Sequence, residues 1–213
     1  MENIKKIKIT KTKRTFDIVI SIFLIILTSP LFFIISFFIC IEHIWRRNFL
    51  TSLFYKEKRI SQGEAFDFVK FNVFKPEIIK AKRQNGEVIH TKILEHDNKS
   101  LSAVGRIVQR TYLDELPQLV NVLKGDLSMV GPRPVNPVNY QKLLNQGIAT
   151  KTIVKAGLTG NYQSRKGEPN INQDQLDQEY INYCLKNPSW KILIFDIKIL
   201  FYTLLVIFKA KGI

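Results

Sequence analysis

Apolar residues are concentrated near the two ends of the chain, and the middle alternates short apolar stretches with polar turns. From Ile18 to Ile41 the only other side chains are Ser, Thr, Pro and Cys, so the run is long enough to cross a hydrocarbon core of about 30 Å. A cleaved signal peptide is disfavoured because the run ends in bulky residues and then Glu42, not in small residues at a cleavage site. The pattern predicts a membrane helix.

Two features of this run argue against a simple transmembrane helix. Ser29-Pro30 lies at its middle, where a proline removes a helical hydrogen bond and kinks the chain. Basic residues flank both ends, and the positive-inside rule places both flanks on the cytoplasmic side. They are Lys5, Lys6, Lys8, Lys11, Lys13 and Arg14 before the run, and Arg46, Arg47, Lys56, Lys58 and Arg59 after it. We therefore predict a re-entrant helix, broken at Ser29 and Pro30, that enters and leaves by one leaflet.

The C-terminal segment from Trp190 to Phe208 is apolar except for Lys191, Asp196, Lys198 and hydroxyl groups. These charges favour a helix lying in the membrane interface, with the lysines snorkelling and Trp190 at headgroup depth. A buried core helix remains the alternative.

Two adjacent carboxylates open a predicted helix in the middle of the chain. The stretch from Asp114 to Gly125 reads as one short helix with Asp114 as N-cap, Pro117 in the first turn and Gly125 as its stop. Free N–H groups and the helix dipole would keep Asp114 and Glu115 ionised and help to dock a phosphate. A capping Asp followed by a first-turn Glu with no chemistry fits the same pattern. A glycosidase pair is excluded, since its carboxyl groups lie roughly 5 to 9 Å apart across the scissile bond.

The formal charge of +14 indicates anionic partners, which could be nucleic acid, acidic lipid headgroups or phosphorylated substrates. Basic residues surround the carboxylate pair: Arg106, Arg110, Lys124, and Arg133 in the turn Gly131-Pro132-Arg133-Pro134. Clustered arginines bind phosphate oxygens in a bidentate manner, so a diphosphate suits this site.

Two cysteines and three histidines without metal-ligand spacing make a disulfide framework or a zinc site improbable. Residues 75–100 are rich in charge and predict a helix–turn insertion around Asn85-Gly86.

Eight short motifs, taken in chain order, resemble the bacterial sugar transferase family of monotopic phosphoglycosyl transferases in its minimal catalytic form. They are Lys13-Arg14-Thr15-Phe16-Asp17, Ser29-Pro30, Arg59 with Gly63 and Phe66, Lys70-Phe71, Val104-Gly105-Arg106, Leu113 to Leu119, Asn121 to Asp126, and Met129 to Pro134. The resemblance implies an α/β fold with a predominance of helices, embedded in the membrane as a monotopic protein. Its parts would be a basic N-terminus and re-entrant helix (1–48), a cytosolic catalytic domain (49–188) and a C-terminal interfacial helix (189–213).

The same resemblance implies the reaction. Such an enzyme moves a sugar-1-phosphate from a UDP-sugar to polyprenyl (undecaprenyl) phosphate through a covalent aspartyl phospho-sugar, as the first membrane step of bacterial glycan assembly. It would work at the bacterial inner membrane with its catalytic domain facing the cytoplasm. Asp114 would be the nucleophile and a ligand of Mg²⁺, with Glu115 as its partner. Phosphate or nucleotide contacts would come from Lys70, Arg59, Arg110 and Arg133, with Arg110 meeting the acceptor phosphate.

Some positions depart from the family pattern, notably Asn72-Val73-Phe74, Lys99, and Lys155 to Gly160 followed by Asn161-Tyr162. These departures affect the expected sugar and nucleotide contacts, whereas the Asp-Glu pair matches the family pattern. The alternative function is a non-enzymatic, basic, membrane-bound adaptor. Nucleic-acid binding is disfavoured because no nucleic-acid-binding motif is present and the apolar segments would be unexplained. A homodimer is compatible with the sequence, although no motif requires one.

Overall fold

The computed structural model describes residues 6–45, 52–75, 77–79, 81 and 99–209, so most of the predicted insertion at 75–100 lies outside the described residues. Within them, the α-helices are α1 (Lys11–Trp45), α2 (Ala103–Arg110), α3 (Gln118–Lys124), α4 (Pro137–Asn145), α5 (Thr150–Ile153), α6 (Gln173–Lys186) and α7 (Ser189–Phe208). The strands are β1 (Phe54–Ser61), β2 (Glu64–Phe71), β3 (Ser128–Val130) and β4 (Gly157–Thr159), and 3₁₀ helices cover Leu113–Glu115 and Gln163–Arg165. The predicted predominance of helices is confirmed.

The chain forms two compact units. The first comprises residues 1–24, 57–68 and 118–213, and the second comprises residues 25–56 and 69–117. The predicted division at residues 48 and 188 concerns location relative to a membrane and stays a prediction.

Helix α1 contains the whole predicted apolar run and extends beyond it at both ends. Among the described residues it is the one helix that is long and apolar enough to cross a membrane. Large apolar side chains along it are exposed, including Ile26 at 67% and Phe33 at 71%. Exposed apolar surface of this extent on one helix is typical of contact with lipid.

Pro30 lies inside α1, and the chain is helical on both sides of it. Because proline has no N–H, the carbonyl of Ile26 loses its usual i+4 donor. The hydroxyl of Ser29 donates to that carbonyl at 2.8 Å and so replaces the lost bond. This gives the Ser-Pro pair a local physical role, and the reversal of the chain within one leaflet stays a prediction.

The second unit is built on an aromatic core. Phe71, Phe74 and Leu101 are almost fully buried, and Ile35 and Ile39 of α1 pack into the same cluster. Burying each such side chain contributes about 1.5–3 kcal/mol. The cluster holds the end of β2 next to α2, and these are the elements that carry the candidate site.

Gly105 allows α2 to lie directly against the backbone of the second unit. A Cβ atom at this position would meet the carbonyl oxygen of Val73 at 2.0 Å. The Val73 carbonyl also accepts a hydrogen bond from the backbone N–H of Ser102, whose side chain caps α2. The glycine of the Val-Gly-Arg motif is therefore required by packing.

We expect Gly105→Ala to lower the free energy of unfolding by about 1–3 kcal/mol, because either α2 or the Val73 backbone must move. The measurement is chemical unfolding of the detergent-solubilised protein. Gly147→Ala is the informative comparison, since a Cβ there meets no atom within 4 Å and any loss reflects its positive φ alone. Equal stability of wild type and Gly105→Ala would contradict the packing role.

The first unit is tied together by the start of α1. The Arg14 guanidinium donates to the carbonyls of Val122 and Leu123 at 2.6 Å each, which satisfies the C-terminus of α3. Asp17 is fully buried, and its Oδ1 accepts from the backbone N–H of Met129 at 3.1 Å. These contacts give the Lys-Arg-Thr-Phe-Asp motif a structural role that charge counting does not reveal.

Strands β3 and β4 pair in parallel, with Ser128 opposite Gly157 and Val130 opposite Thr159. Glycines in β4 and just after β3 and β4 allow the two backbones to lie in direct contact. A Cβ on Gly157 would meet the Gly131 nitrogen at 2.1 Å, and one on Gly160 would meet the Gly131 oxygen at 2.1 Å. The Gly131–Pro134 turn is therefore fixed at its first residue.

Helix α7 coincides with the predicted C-terminal helix. Its Asp196 is fully buried, where it accepts from Lys13 Nζ at 2.5 Å and from the Tyr180 hydroxyl at 2.9 Å. Its opposite face exposes Trp190 and Phe201, each at 58%. A fully buried core helix does not fit these exposures, and the depth of α7 in a membrane stays a prediction.

Candidate active site

A lysine and two carboxylates meet in the second unit. Lys70 Nζ lies 3.4 Å from Asp114 Oδ2 and 3.3 Å from Glu115 Oε1. The side chains of Lys70 and Asp114 are only 7% and 3% exposed, and that of Glu115 is 18% exposed. Away from water, the ammonium group strongly stabilises negative charge on both carboxylates. The arrangement keeps two acidic side chains together in a site that would otherwise disfavour them.

The backbone of the pair differs from the prediction. Asp114 and Glu115 lie in a 3₁₀ helix, and α3 begins only at Gln118, so the predicted single helix from Asp114 with Asp114 as N-cap is wrong. The reason is Pro117, which has no N–H to bond the Leu113 carbonyl, so the turn closes with bonds from Glu115 to Tyr112 and from Leu116 to Leu113. The predicted end of the helix at Gly125 is confirmed by its positive φ of 87°.

This correction also changes the electrostatic argument. A dipole at the N-terminus of α3 does not act on an N-cap carboxylate here, because Asp114 precedes that helix by several residues. A positive charge beside Asp114 comes from the ammonium group of Lys70. The sequence places Lys70 among the phosphate contacts, and the structure adds an ion pair with both carboxylates.

Tyr112, immediately before the 3₁₀ helix, has a left-handed backbone with φ 58° and ψ 13°. A non-glycine residue in this region carries strain of about 1–3 kcal/mol and is common at functional sites. The conformation ends α2 and redirects the chain, so that Asp114 is buried although it lies only a few residues from exposed Arg110. The left-handed conformation of Tyr112 thus helps to position Asp114, the candidate nucleophile.

Helix α2, which leads into this turn, is anchored at its start by Glu42 of α1. The Glu42 carboxylate accepts from the backbone N–H groups of Ala103 and Val104 at 2.9 and 3.1 Å. Arg110 is the last residue of the same helix and is exposed. This capping role of Glu42 was not among the predictions, although a lone acidic residue that closes a long apolar run is a signal for a buried or capping partner.

Arg59 and Arg133 belong to the first unit. The Arg59 guanidinium donates twice to Glu57 Oε1, at 2.9 and 2.6 Å, and lies over the Phe68 ring. Arg133 is half-buried in the turn that follows β3. Their roles as phosphate or nucleotide ligands stay predictions, and for Arg59 the carboxylate of Glu57 already occupies part of the guanidinium.

The carboxylate pair fits a magnesium ion that is coordinated partly by the protein and partly by the substrate. The described part of the chain contains no group of three or more His, Cys, Asp or Glu side chains that could hold a metal. Mg²⁺ in phosphoryl-transfer sites is usually held by one or two carboxylates together with substrate phosphates and waters. Asp114 and Glu115 would supply the protein share of such a set, and a diphosphate would have to supply the rest.

Comparison with known proteins gives a consistent result. The family described as "Bacterial sugar transferase" matches residues 8–210. The chain is 32% identical to the undecaprenyl-phosphate galactose phosphotransferase of Salmonella typhimurium and 33% identical to the uncharacterized sugar transferase EpsL of Bacillus subtilis, over 94% of its length in each case. It is 30% identical to the UDP-glucose:undecaprenyl-phosphate glucose-1-phosphate transferase of Escherichia coli. The chain spans 41% of the Salmonella and Escherichia relatives and 89% of EpsL.

Proposed function

The chain belongs to the bacterial sugar transferase family, and we propose that it moves a sugar-1-phosphate from a UDP-sugar to undecaprenyl phosphate at the cytoplasmic face of the bacterial inner membrane. The observation that carries this proposal is the buried group formed by Lys70, Asp114 and Glu115. Relatives named as transferases acting on undecaprenyl phosphate support the acceptor and the type of reaction. The adaptor alternative gives no reason for two adjacent carboxylates to share one buried lysine.

The first step is an in-line displacement by Asp114. A carboxylate oxygen attacks the sugar-bearing phosphorus of the donor, the bond from that phosphorus to the bridging oxygen breaks, and uridine monophosphate leaves. The product is an aspartyl phospho-sugar. Because Asp114 is almost fully buried, donor binding has to displace a group that covers it. The bound donor then takes the place of that group and keeps bulk water from hydrolysing the acyl phosphate.

In the second step an oxygen of undecaprenyl phosphate attacks the phosphorus of the aspartyl phospho-sugar. The bond between phosphorus and the Asp114 oxygen breaks, which restores the carboxylate and yields the lipid diphosphate sugar. Lys70 stabilises the carboxylate before attack and again when it is released. Arg110, exposed at the end of α2, is suited to hold the acceptor phosphate.

Mg²⁺, held by Asp114, Glu115 or both together with the donor diphosphate, would neutralise the diphosphate and favour departure of the nucleotide. Glu115 has a second use without the metal, because its contact with Lys70 holds the ammonium group against the nucleophile.

The proposal is tested by incubating the protein in nanodiscs with individual UDP-sugars, Mg²⁺ and undecaprenyl phosphate, and by measuring uridine monophosphate release. Release that depends on the lipid and on one donor, and that stops on chelation of Mg²⁺, is the expected result. It would also identify the sugar. Absence of release with every donor, from protein that remains folded, would favour the adaptor.

The re-entrant course of α1 is the membrane part of the proposal. We expect Pro30→Ala to restore an N–H to the Ile26 carbonyl, to straighten α1 and to move the N-terminus to the outer side of the membrane. The measurement is labelling of Thr12→Cys by an impermeant thiol reagent in spheroplasts, with Cys40 and Cys184 replaced by serine. The parent should resist labelling and the Pro30→Ala variant should react.

Ser36→Ala is the matched control, since it removes the hydroxyl bond to the Phe32 carbonyl without touching a proline. It should leave the parent topology unchanged. Labelling of Thr12→Cys in the otherwise unaltered parent would rule out the re-entrant course.

A further inference from the structure

The first unit contains a cavity of about 170 Å³ beside the segment that precedes α1. Three lysines line it, namely Lys8, Lys13 and Lys155, and no acidic residue is among its described lining residues. The volume is well above the roughly 30 Å³ that a water molecule occupies in the liquid, so a tetrahedral oxyanion with some water fits inside. The proposed sugar transfer does not use this cavity.

The charges around the cavity do not cancel. Lys13 is neutralised by its ion pair with Asp196, which also lies near the buried carboxylate of Asp17. Glu64, whose pKa is lowered chiefly by its hydrogen bond from Lys6, is also attracted by Lys155. Lys8 and Lys155 line the cavity, whose described lining residues include no carboxylate, and they supply the positive charge for an anion.

The other polar groups of the lining are also suited to a phosphate. Burial raises the pKa of the Cys184 thiol to about 11, so it adds no negative charge at neutral pH. Lys13 uses two of its three N–H groups, on Asp196 and the Val130 carbonyl, and one remains for a ligand. Asn187 and Ser189 contribute further polar groups.

The start of α7 forms another part of the wall. Pro188 is its N-cap and has no side-chain acceptor for the first N–H groups of this 20-residue helix. Ser189, the first residue of the helix, lines the cavity, and Trp190 after it is 58% exposed, as expected for a side chain at the headgroup level of a bilayer. A cavity next to such a residue is well placed for a phosphate that belongs to a lipid.

We propose that this cavity is a binding site for a phosphate group, supplied by an anionic phospholipid or by a soluble phosphate, with Lys8 and Lys155 as its principal ligands. Phosphate bound here would hold the segment before α1 against the loop that precedes β4, since Lys8 and Lys155 would share one anion. None of the residues assigned to the proposed reaction lines this cavity.

The test is calorimetric titration of the full chain with inorganic phosphate, in nanodiscs of zwitterionic lipid and in nanodiscs that also contain phosphatidic acid, at constant ionic strength. The variant is Lys8→Gln with Lys155→Gln. The control is Lys56→Gln with Lys142→Gln, which removes the same charge at exposed positions that do not line the cavity. No nucleotide-sugar is present, so the result does not depend on the transferase activity.

Saturable binding in zwitterionic nanodiscs, weakened about tenfold or more in the Lys8/Lys155 variant and within about twofold in the control, is the expected result. Loss of this binding when phosphatidic acid is present identifies the lipid headgroup as the natural source, and unchanged binding identifies a soluble phosphate. Absence of saturable binding to wild type, or an equal loss in both double variants, would overturn the proposal.

Discussion

Replacement of Asp114 by asparagine is expected to lower uridine monophosphate release by at least about a thousandfold, which corresponds to roughly 4 kcal/mol of activation free energy. Asparagine keeps the shape of the side chain but cannot attack phosphorus as an anion. The fold should persist, because the amide can still accept from Lys70 Nζ. Wild type incubated with donor alone should also accumulate a phospho-sugar adduct on Asp114, detectable by mass spectrometry, and the variant should not.

Asp177→Asn provides a matched control for this experiment. Asp177 is likewise a buried aspartate paired with a buried lysine, Lys151, but it lies on α6 of the first unit. Its loss should affect stability and leave turnover per folded molecule close to wild type. Turnover by Asp114→Asn comparable to that of the control would exclude a covalent role for Asp114 and leave Glu115 as the candidate nucleophile.

Much of the fold follows from patterns that act locally along the chain. The apolar run from Ile18 to Ile41 and the segment from Trp190 to Phe208 are helical as predicted, because their apolar composition extends over many residues. The positions of Asp196 and Lys13 could not be predicted in this way. A buried ion pair between residues so distant in the sequence depends on tertiary packing, which local patterning does not record.

The candidate site shows the same division. The sequence predicts that Asp114 and Glu115 act together, and the structure brings Lys70 to both of them. The prediction of one continuous helix from Asp114 was wrong because Pro117 was interpreted as a first-turn residue of that helix. In the structure the missing N–H of Pro117 separates a 3₁₀ helix at Leu113–Glu115 from α3. The strain at Tyr112 has no sequence signature, since a tyrosine rarely adopts a left-handed backbone.

Lys70→Met is expected to impair both stability and chemistry, because it leaves two carboxylates together in a largely buried site without their cation. Breaking a buried ion pair by removing one partner costs about 3–5 kcal/mol of unfolding free energy. The rate should fall as well, since the carboxylates would then be forced to share a proton. Chemical unfolding and uridine monophosphate release, measured on the same nanodisc preparation, check the two effects.

Lys151→Met separates stability from chemistry, since Lys151 is as buried as Lys70 and pairs with Asp177 in the first unit. We expect a comparable loss of stability with normal turnover per folded molecule. The double variant Lys70→Met with Asp114→Asn should recover at least about 1 kcal/mol relative to the sum of the single variants, because the neutral amide no longer requires the ammonium group. Strict additivity of the two substitutions would mean that Lys70 does not act through Asp114, and the lysine would then be assigned to substrate phosphate alone.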